Sequence, residues 1–177
     1  MLGQNGNGGD GYVIKANGAV LENPYVADMG NDGIRIGTDA AGTNANSFQL
    51  IRPVCVANSR HGIYVNDDNT AANTDANAGL MLSPVCLLNA GDGIKIDRGF
   101  FNTIVNPLCE SNTGTGLLFA GNSLRNIVFG GDVEANTAAN IVLDSGATNN
   151  QIYGTDSTTA ITDNGTGTII FGRLVNK

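Results

Sequence analysis

A five-residue phrase recurs along this chain, and its spacing constrains the fold more than any other feature. It reads Asp-Gly-Tyr-Val-Ile at 10–14, Asp-Gly-Ile-Arg-Ile at 32–36 and His-Gly-Ile-Tyr-Val at 61–65. It returns as Asp-Gly-Ile-Lys-Ile at 92–96, Thr-Gly-Leu-Leu-Phe at 115–119 and, weakened, Ala-Asn-Ile-Val-Leu at 139–143. The intervals between Gly11, Gly33, Gly62, Gly93, Gly116 and Asn140 are 22, 29, 31, 23 and 24 residues. A period in this range with uneven lengths marks a solenoid whose coils share a frame and differ in their loops.

A second phrase holds the same register. It runs through Asn23-Pro24-Tyr25-Val26, Arg52-Pro53-Val54-Cys55, Ser83-Pro84-Val85-Cys86, Asn106-Pro107-Leu108-Cys109 and Gly130-Gly131-Asp132-Val133. The seventh residue after each of Val26, Cys55, Cys86, Cys109 and Val133 is the Gly or Asn that opens the next coil. Met29, Asn58, Asn89, Asn112 and Asn136 align between the two phrases. Length varies at 37–46, 66–78, 97–101 and 120–123, on the other side of the coil.

The local pattern is that of strands. Ile34-Arg35-Ile36, Ile63-Tyr64-Val65 and Ile94-Lys95-Ile96 alternate with period two, one face inward and one outward. Gly, Asn, Asp and Pro interrupt these β-branched triplets. The Leu-x-x-Leu-x-Leu spacing of a leucine-rich repeat is absent. The expected fold is all-β, a right-handed parallel β-helix of about six to seven coils with two or three short strands per coil. Residues 1–9 read as a flexible N-terminal remnant, 10–172 as the β-helix domain and 173–177 as a C-terminal tail. Stacking predicts columns of like residues along the axis. Asn58, Asn89, Asn112 and Asn136 would exchange amide hydrogen bonds, the Gly column would supply positive φ at a corner, and Pro24, Pro53, Pro84 and Pro107 would stiffen another.

A chain of 177 residues fits one domain. A formal charge of −7 argues against nucleic acid as a partner, because no basic patch exists to displace counterions from phosphates. No apolar run is long enough for membrane insertion, and no signal peptide is evident; the chain reads as a piece of a longer protein. Cys55, Cys86 and Cys109 share one slot, filled by Val26 and Val133 in the flanking coils. That is a core position, so free buried thiols are expected. Collinear side chains suit neither a disulfide torsion nor a zinc site, and no metal or other cofactor is implied.

Three constellations are candidates for chemistry. Asp10, Asp32, His61, Asp92 and Thr115 stack at the corner before the Gly column, which places the lone histidine between two carboxylates. Such a histidine could serve as a general acid, or the column could simply hydrogen-bond the turn backbone. The outward column Val13, Arg35, Tyr64, Lys95, Leu118 and Val142 places cationic and aromatic side chains in three consecutive coils. Tyr64 could stack on a sugar ring while Arg35 and Lys95 hold acidic groups; its flanking apolar residues hint at an interface. Beside it lies an acidic edge of Asp67, Asp68, Asp97 and Arg98, with Asn66, Asp39 and Asp75 nearby. Asp67, Asp68 and Asp97 are the candidate catalytic carboxylates, since glycoside hydrolysis uses a pair about 5–10 Å apart. Arg35, Tyr64, Lys95 and Arg98 are the candidate ligand-binding set.

The Asp-Gly-Ile-Arg-Ile, His-Gly-Ile-Tyr-Val and Asp-Gly-Ile-Lys-Ile phrases resemble coils of the pectate-lyase-like parallel β-helix superfamily. The Gly/Asn/Thr-rich texture and the ending Gly167-Thr168-Ile169-Ile170-Phe171-Gly172 look most like bacteriophage tailspike and tail-fibre β-helices. The resemblance spans about 10–172. It implies a homotrimer that recognises, and in many members cleaves, bacterial surface polysaccharide, located in the virion tail and assembled in the host cytoplasm. Of the polygalacturonase motifs, only Asp67-Asp68 and Arg60-His61-Gly62 are echoed, and in the opposite order. Three functions fit these features. The first is a tail-fibre or tailspike domain that recognises glycan and forms a structural shaft. The second is a polysaccharide-degrading glycoside hydrolase or lyase, and the third is a fragment of a bacterial surface adhesin.

Overall fold

A computed structural model describes residues 8–37, 44–66 and 76–174. The chain is a parallel β-helix, as the repeat predicts. Its first face stacks seven parallel strands: Tyr12–Ile14, Ile34–Ile36, Ile63–Asn66, Ile94–Asp97, Thr115–Ala120, Ala139–Leu143 and Thr162–Asp163. The second face stacks Val20–Glu22, Gln49–Ile51, Leu80–Leu82, Thr103–Val105 and Ile127–Phe129. The third stacks Tyr25–Ala27, Val54–Val56, Val85–Leu87, Leu108–Glu110 and Asp132–Glu134. The strand Gln151–Ser157 then runs across both. Gln151, Ile152 and Tyr153 continue the second face, whereas Asp156 and Ser157 continue the third. Ile169–Leu174 pairs with that strand on both sides of a register shift between Tyr153 and Asp156.

Register follows the sequence phrases. Ile34 pairs with Ile63, Ile63 with Ile94, and Ile94 with Leu117. Leu50, Met81, Ile104, Val128 and Ile152 form a second inner column, and Val26, Cys55, Cys86, Cys109 and Val133 a third. These side chains are buried, each contributing about 1.5–3 kcal/mol where a full-sized aliphatic leaves water. The three cysteines are free, buried thiols, as their shared slot predicts. Burial pushes the Cys86 thiol well above its ordinary range, and the adjacent Cys109 and Cys55 add to the shift.

The expected Asn ladder forms. Asn58 Nδ2 donates to Asn89 Oδ1 at 2.8 Å, Asn89 to Asn112 at 2.8 Å, and Asn112 to Asn136 at 2.9 Å. Asn112 uses all its capacity. Its oxygen also accepts the Asn89 N–H, and its second amide hydrogen goes to the Cys86 carbonyl. A second buried ladder, Asn102–Asn126–Asn150, works the same way between the first and second faces. A third row links Asn17, Asn46 and Asn77 through backbone N–H groups.

The Gly column has a different cause from the one expected. Gly33, Gly62 and Gly93 do not occupy positive φ. A Cβ on Gly62 would lie 2.7 Å from the Gly93 carbonyl oxygen and 2.9 Å from Asn89 Nδ2, and on Gly93 2.7 Å from Gly116 O. Coils touch there, so no side chain fits. Positive φ falls instead on non-glycine residues, at all three corners. One is the residue before each proline, with Asn23, Arg52, Ser83 and Asn106 at φ 48–50°. Each donates its N–H one coil onward, as from Arg52 to Leu82 O at 2.8 Å. The ladder hydrogen bonds therefore hold a conformation that L-residues disfavour.

Two measurements check this packing. Thiol titration of the native protein should find Cys55, Cys86 and Cys109 unreactive, and all three should react after unfolding. Asn112→Ala strands the Asn89 amide and the Cys86 carbonyl in the interior, so denaturant unfolding should show a loss of about 3 kcal/mol or more.

Candidate functional site on the first face

The outward column of the first face assembles as the alternation predicts. Arg35 pairs with Tyr64, and Tyr64 with Lys95. The Arg35 guanidinium carbon lies 5.6 Å from the Tyr64 ring centroid and Lys95 Nζ lies 5.4 Å from it, from the two adjacent coils. Arg60 adds a third cation at 5.0 Å, and the His61 ring lies 5.2 Å away, tilted by 52°. Tyr64 is consequently only 8 % exposed. It is not an open stacking platform but the hub that holds three cations in place. Each such contact is worth about 0.5–2 kcal/mol, rising with desolvation. Four of the chain's nine Lys and Arg residues, Arg35, Arg60, Lys95 and Arg98, belong to this face and its edges.

Arg60 is the member that the sequence reading missed. It sits before the repeated phrase, where the other coils carry Asn31, Gly91 and Gly114, so no column marks it. The buried carboxylate of Asp32 fixes it: Nε donates to Oδ1 at 2.7 Å while Nη2 donates to Oδ2. This bidentate pair leaves the guanidinium plane directed over the Tyr64 ring.

The edge of the strip holds Asp97 and Arg98. Arg98 Nη2 donates to Asn66 Oδ1 at 3.0 Å, its Nε lies 3.6 Å from Asp97 Oδ1, and the Tyr64 hydroxyl lies 3.4 Å from Asp97 Oδ2. Arg35, Tyr64, Lys95 and Arg98 are thus on one continuous surface with Asp97. Asp67 and Asp68, together with Asp39 and Asp75, lie outside the described residues, as does most of the 66–78 insertion. Among the described residues no three of His, Cys, Asp and Glu gather into a metal-binding group.

The corner column serves the backbone. Asp10 Oδ1 accepts from Asp32 N–H at 3.0 Å, Asp32 from His61 N–H at 3.1 Å, and Asp92 from Thr115 N–H at 2.7 Å. His61 takes the same place, with Nδ1 accepting the Asp92 N–H at 3.0 Å. Nδ1 is also 3.2 Å from Asp92 Oδ2. It cannot accept the first and donate to the second at once; Nδ1 without a proton does the former and Nδ1–H the latter. Burial raises the Asp92 pKa, but His61, the Thr115 N–H and the Lys95 charge outweigh it, so the carboxyl ends below its ordinary value of 3.8.

The apolar surface lies elsewhere than the first face suggested. Val13 is exposed, but Leu118 and Val142 are half-buried. Among the described residues, the other large exposed apolar side chains, Val20, Tyr25, Leu88, Phe101, Phe129, Ile169 and Phe171, all belong to the second and third faces or their corners. Phe129, Tyr153 and Phe171 stack along the axis at 5.4 and 5.7 Å, with planes within 16°. The signal was present in sequence as triplets apolar on both sides, such as Val54-Cys55-Val56 and Leu80-Met81-Leu82.

Comparison with protein-family models, curated proteins and solved structures returns no match for this chain.

Asp92 has a lowered folded-state pKa, so its contribution to stability is present above the unfolded value and is lost as pH falls through the folded one. Asp92→Asn should therefore flatten the fall in stability below about pH 4, read as the change of urea midpoint with pH against the parent protein.

Proposed function

We propose that this chain is a glycan-recognising shaft domain of the bacteriophage tail-fibre or tailspike kind, acting as a homotrimer on an acidic bacterial surface polysaccharide. The observation that carries this reading is the cluster of Arg35, Arg60 and Lys95 around Tyr64 on a chain of net charge −7. Clustering three cations costs mutual repulsion, offset for Arg60 by its pairing with Asp32, and an anionic ligand gives a reason for the rest. Because the ring is covered, the cations meet the ligand and Tyr64 orients them. The strip crosses three coils along the axis, which suits an extended polymer better than a compact solute.

Trimerisation is supported by the outer columns of the second and third faces. Ile51, Leu82, Val105 and Phe129 stand beside Val54, Val85 and Leu108, across the proline corner. Copies joined there would cover apolar surface that a thin solenoid otherwise leaves in water.

Glycan-array or calorimetric binding to host polysaccharide should weaken about ten-fold in Arg35→Ala and again in Lys95→Ala. Equal binding by both variants would remove this strip as the site. Light scattering should return three times the chain mass, and Leu82→Asp should shift it toward the monomer while leaving the β-sheet spectrum intact. A stable monomer in the parent protein would overturn the trimer.

A further inference from the structure

The corner that joins the first face to the second is short in the later coils, spanning 98–102, 121–126 and 144–150. One turn position there is filled by Phe101, Arg125, Asn149 and Gly167, all with φ between 54° and 67°. Each of the first three donates its N–H to the next coil, to Leu124 O, Thr148 O and Thr166 O, so the column is rigid. Between this column and Ile127, Gln151 and Ile169 of the second face runs an open groove of about 540 Å³.

Its chemistry is mixed in a specific way. The Arg125 guanidinium carbon lies 5.6 Å from the Phe101 ring centroid. No ion pair among the described residues engages Arg125. The ring contact steadies the guanidinium, and Arg125 is exposed, so its N–H groups are accessible from solvent. Phe101 itself remains 52 % exposed. Gln151 Oε1 already accepts the Tyr153 hydroxyl at 2.8 Å, which leaves its NH₂ as the free end. Asn149 supplies a second exposed amide. The groove thus offers a planar cation, amide hydrogen-bonding groups and apolar walls, on a protein whose net charge is negative.

We propose that this groove is a second saccharide site, separate from the Tyr64 strip, and that it takes the carboxylate-bearing unit of an acidic glycan. Arg125 holds the carboxylate through its exposed N–H groups, Phe101 and Ile127 cover the apolar face of the ring, and Gln151 donates to hydroxyls. The coil advance of roughly 4.8 Å is close to the advance of one hexose along an extended chain, so successive rungs meet successive sugar units. The inference takes only the class of ligand from the proposed function; the site stands on its own residues.

The chain contains no tryptophan, so Phe101→Trp places a single reporter at an exposed corner. Titration with an oligogalacturonate should shift its emission to the blue and saturate, while a neutral dextran oligomer should not. Adding Arg125→Ala should weaken the response about ten-fold. Backbone amide shifts of Arg125 and Gln151 in the parent protein should report the same saturation. An unmoved emission and unmoved shifts would overturn the site, whether or not the oligomer binds elsewhere. Binding abolished by Arg35→Ala but indifferent to Arg125→Ala would overturn the groove and leave the Tyr64 strip standing. A tryptophan response that persists when Arg35→Ala and Lys95→Ala change nothing would support the groove and sink the strip.

Discussion

The amide hydrogen bond from one coil to the next, repeated at buried corners, is the interaction on which this architecture depends. A short strand of three residues makes too few bonds to hold register alone, and its neighbours could slip by one residue and turn their side chains inside out. The Asn columns prevent this. Asn112 accepts the Asn89 N–H and Nδ2 and donates to both Asn136 Oδ1 and Cys86 O, so any slip would leave three buried and one half-buried polar group unpaired. Each such orphan costs about 1–3 kcal/mol. Two buried ladders, one at each end of the first-face strands, fix that face from both sides.

Fixed register has a chemical consequence at the surface. Residues that share a repeat position are brought within roughly 4.8 Å of one another at the backbone, so a residue type repeated in sequence becomes a continuous column in space. Apolar columns face inward and outward alike: Leu50, Met81 and Ile104 are buried, whereas Ile51, Leu82 and Val105 point away from the core one residue later. On the first face the same rule sandwiches Tyr64 between Arg35 and Lys95. At the first corner it places Arg125 on Phe101. The two cationic sites are products of one geometry, in which an aromatic rung orders the charged rung stacked on it.

The corner column shows how one structural bond is kept from coil to coil while the residue type changes. Asp10, Asp32 and Asp92 each accept a backbone N–H from the next coil. Substituting His61 keeps that bond through Nδ1. Asp32 departs from the pattern in another way, since its buried carboxylate also anchors Arg60 and so contributes to the cation cluster.

The sequence by itself determined the coils, the inward triplets, the thiol column and the first Asn ladder, because each depends only on spacing and on a period-two alternation. The columns through Asn102, Asn126 and Asn150 were equally legible, at even intervals of 24 residues, but lie in the half of the coil where loop lengths vary. The cause of the Gly column was not legible: glycine suits both positive φ and close approach, and only the positions of Gly93 O and Asn89 Nδ2 decide between them. Which side chains meet on the surface was decided by tertiary structure. Arg60 reaches Tyr64 from a position no repeat marks, and the Phe101–Arg125 groove joins a corner to a neighbouring face. Such contacts depend on how the chain turns between strands, and the turn is set by positive-φ corners at Arg52, Ser83 and Phe101 that no residue preference announces.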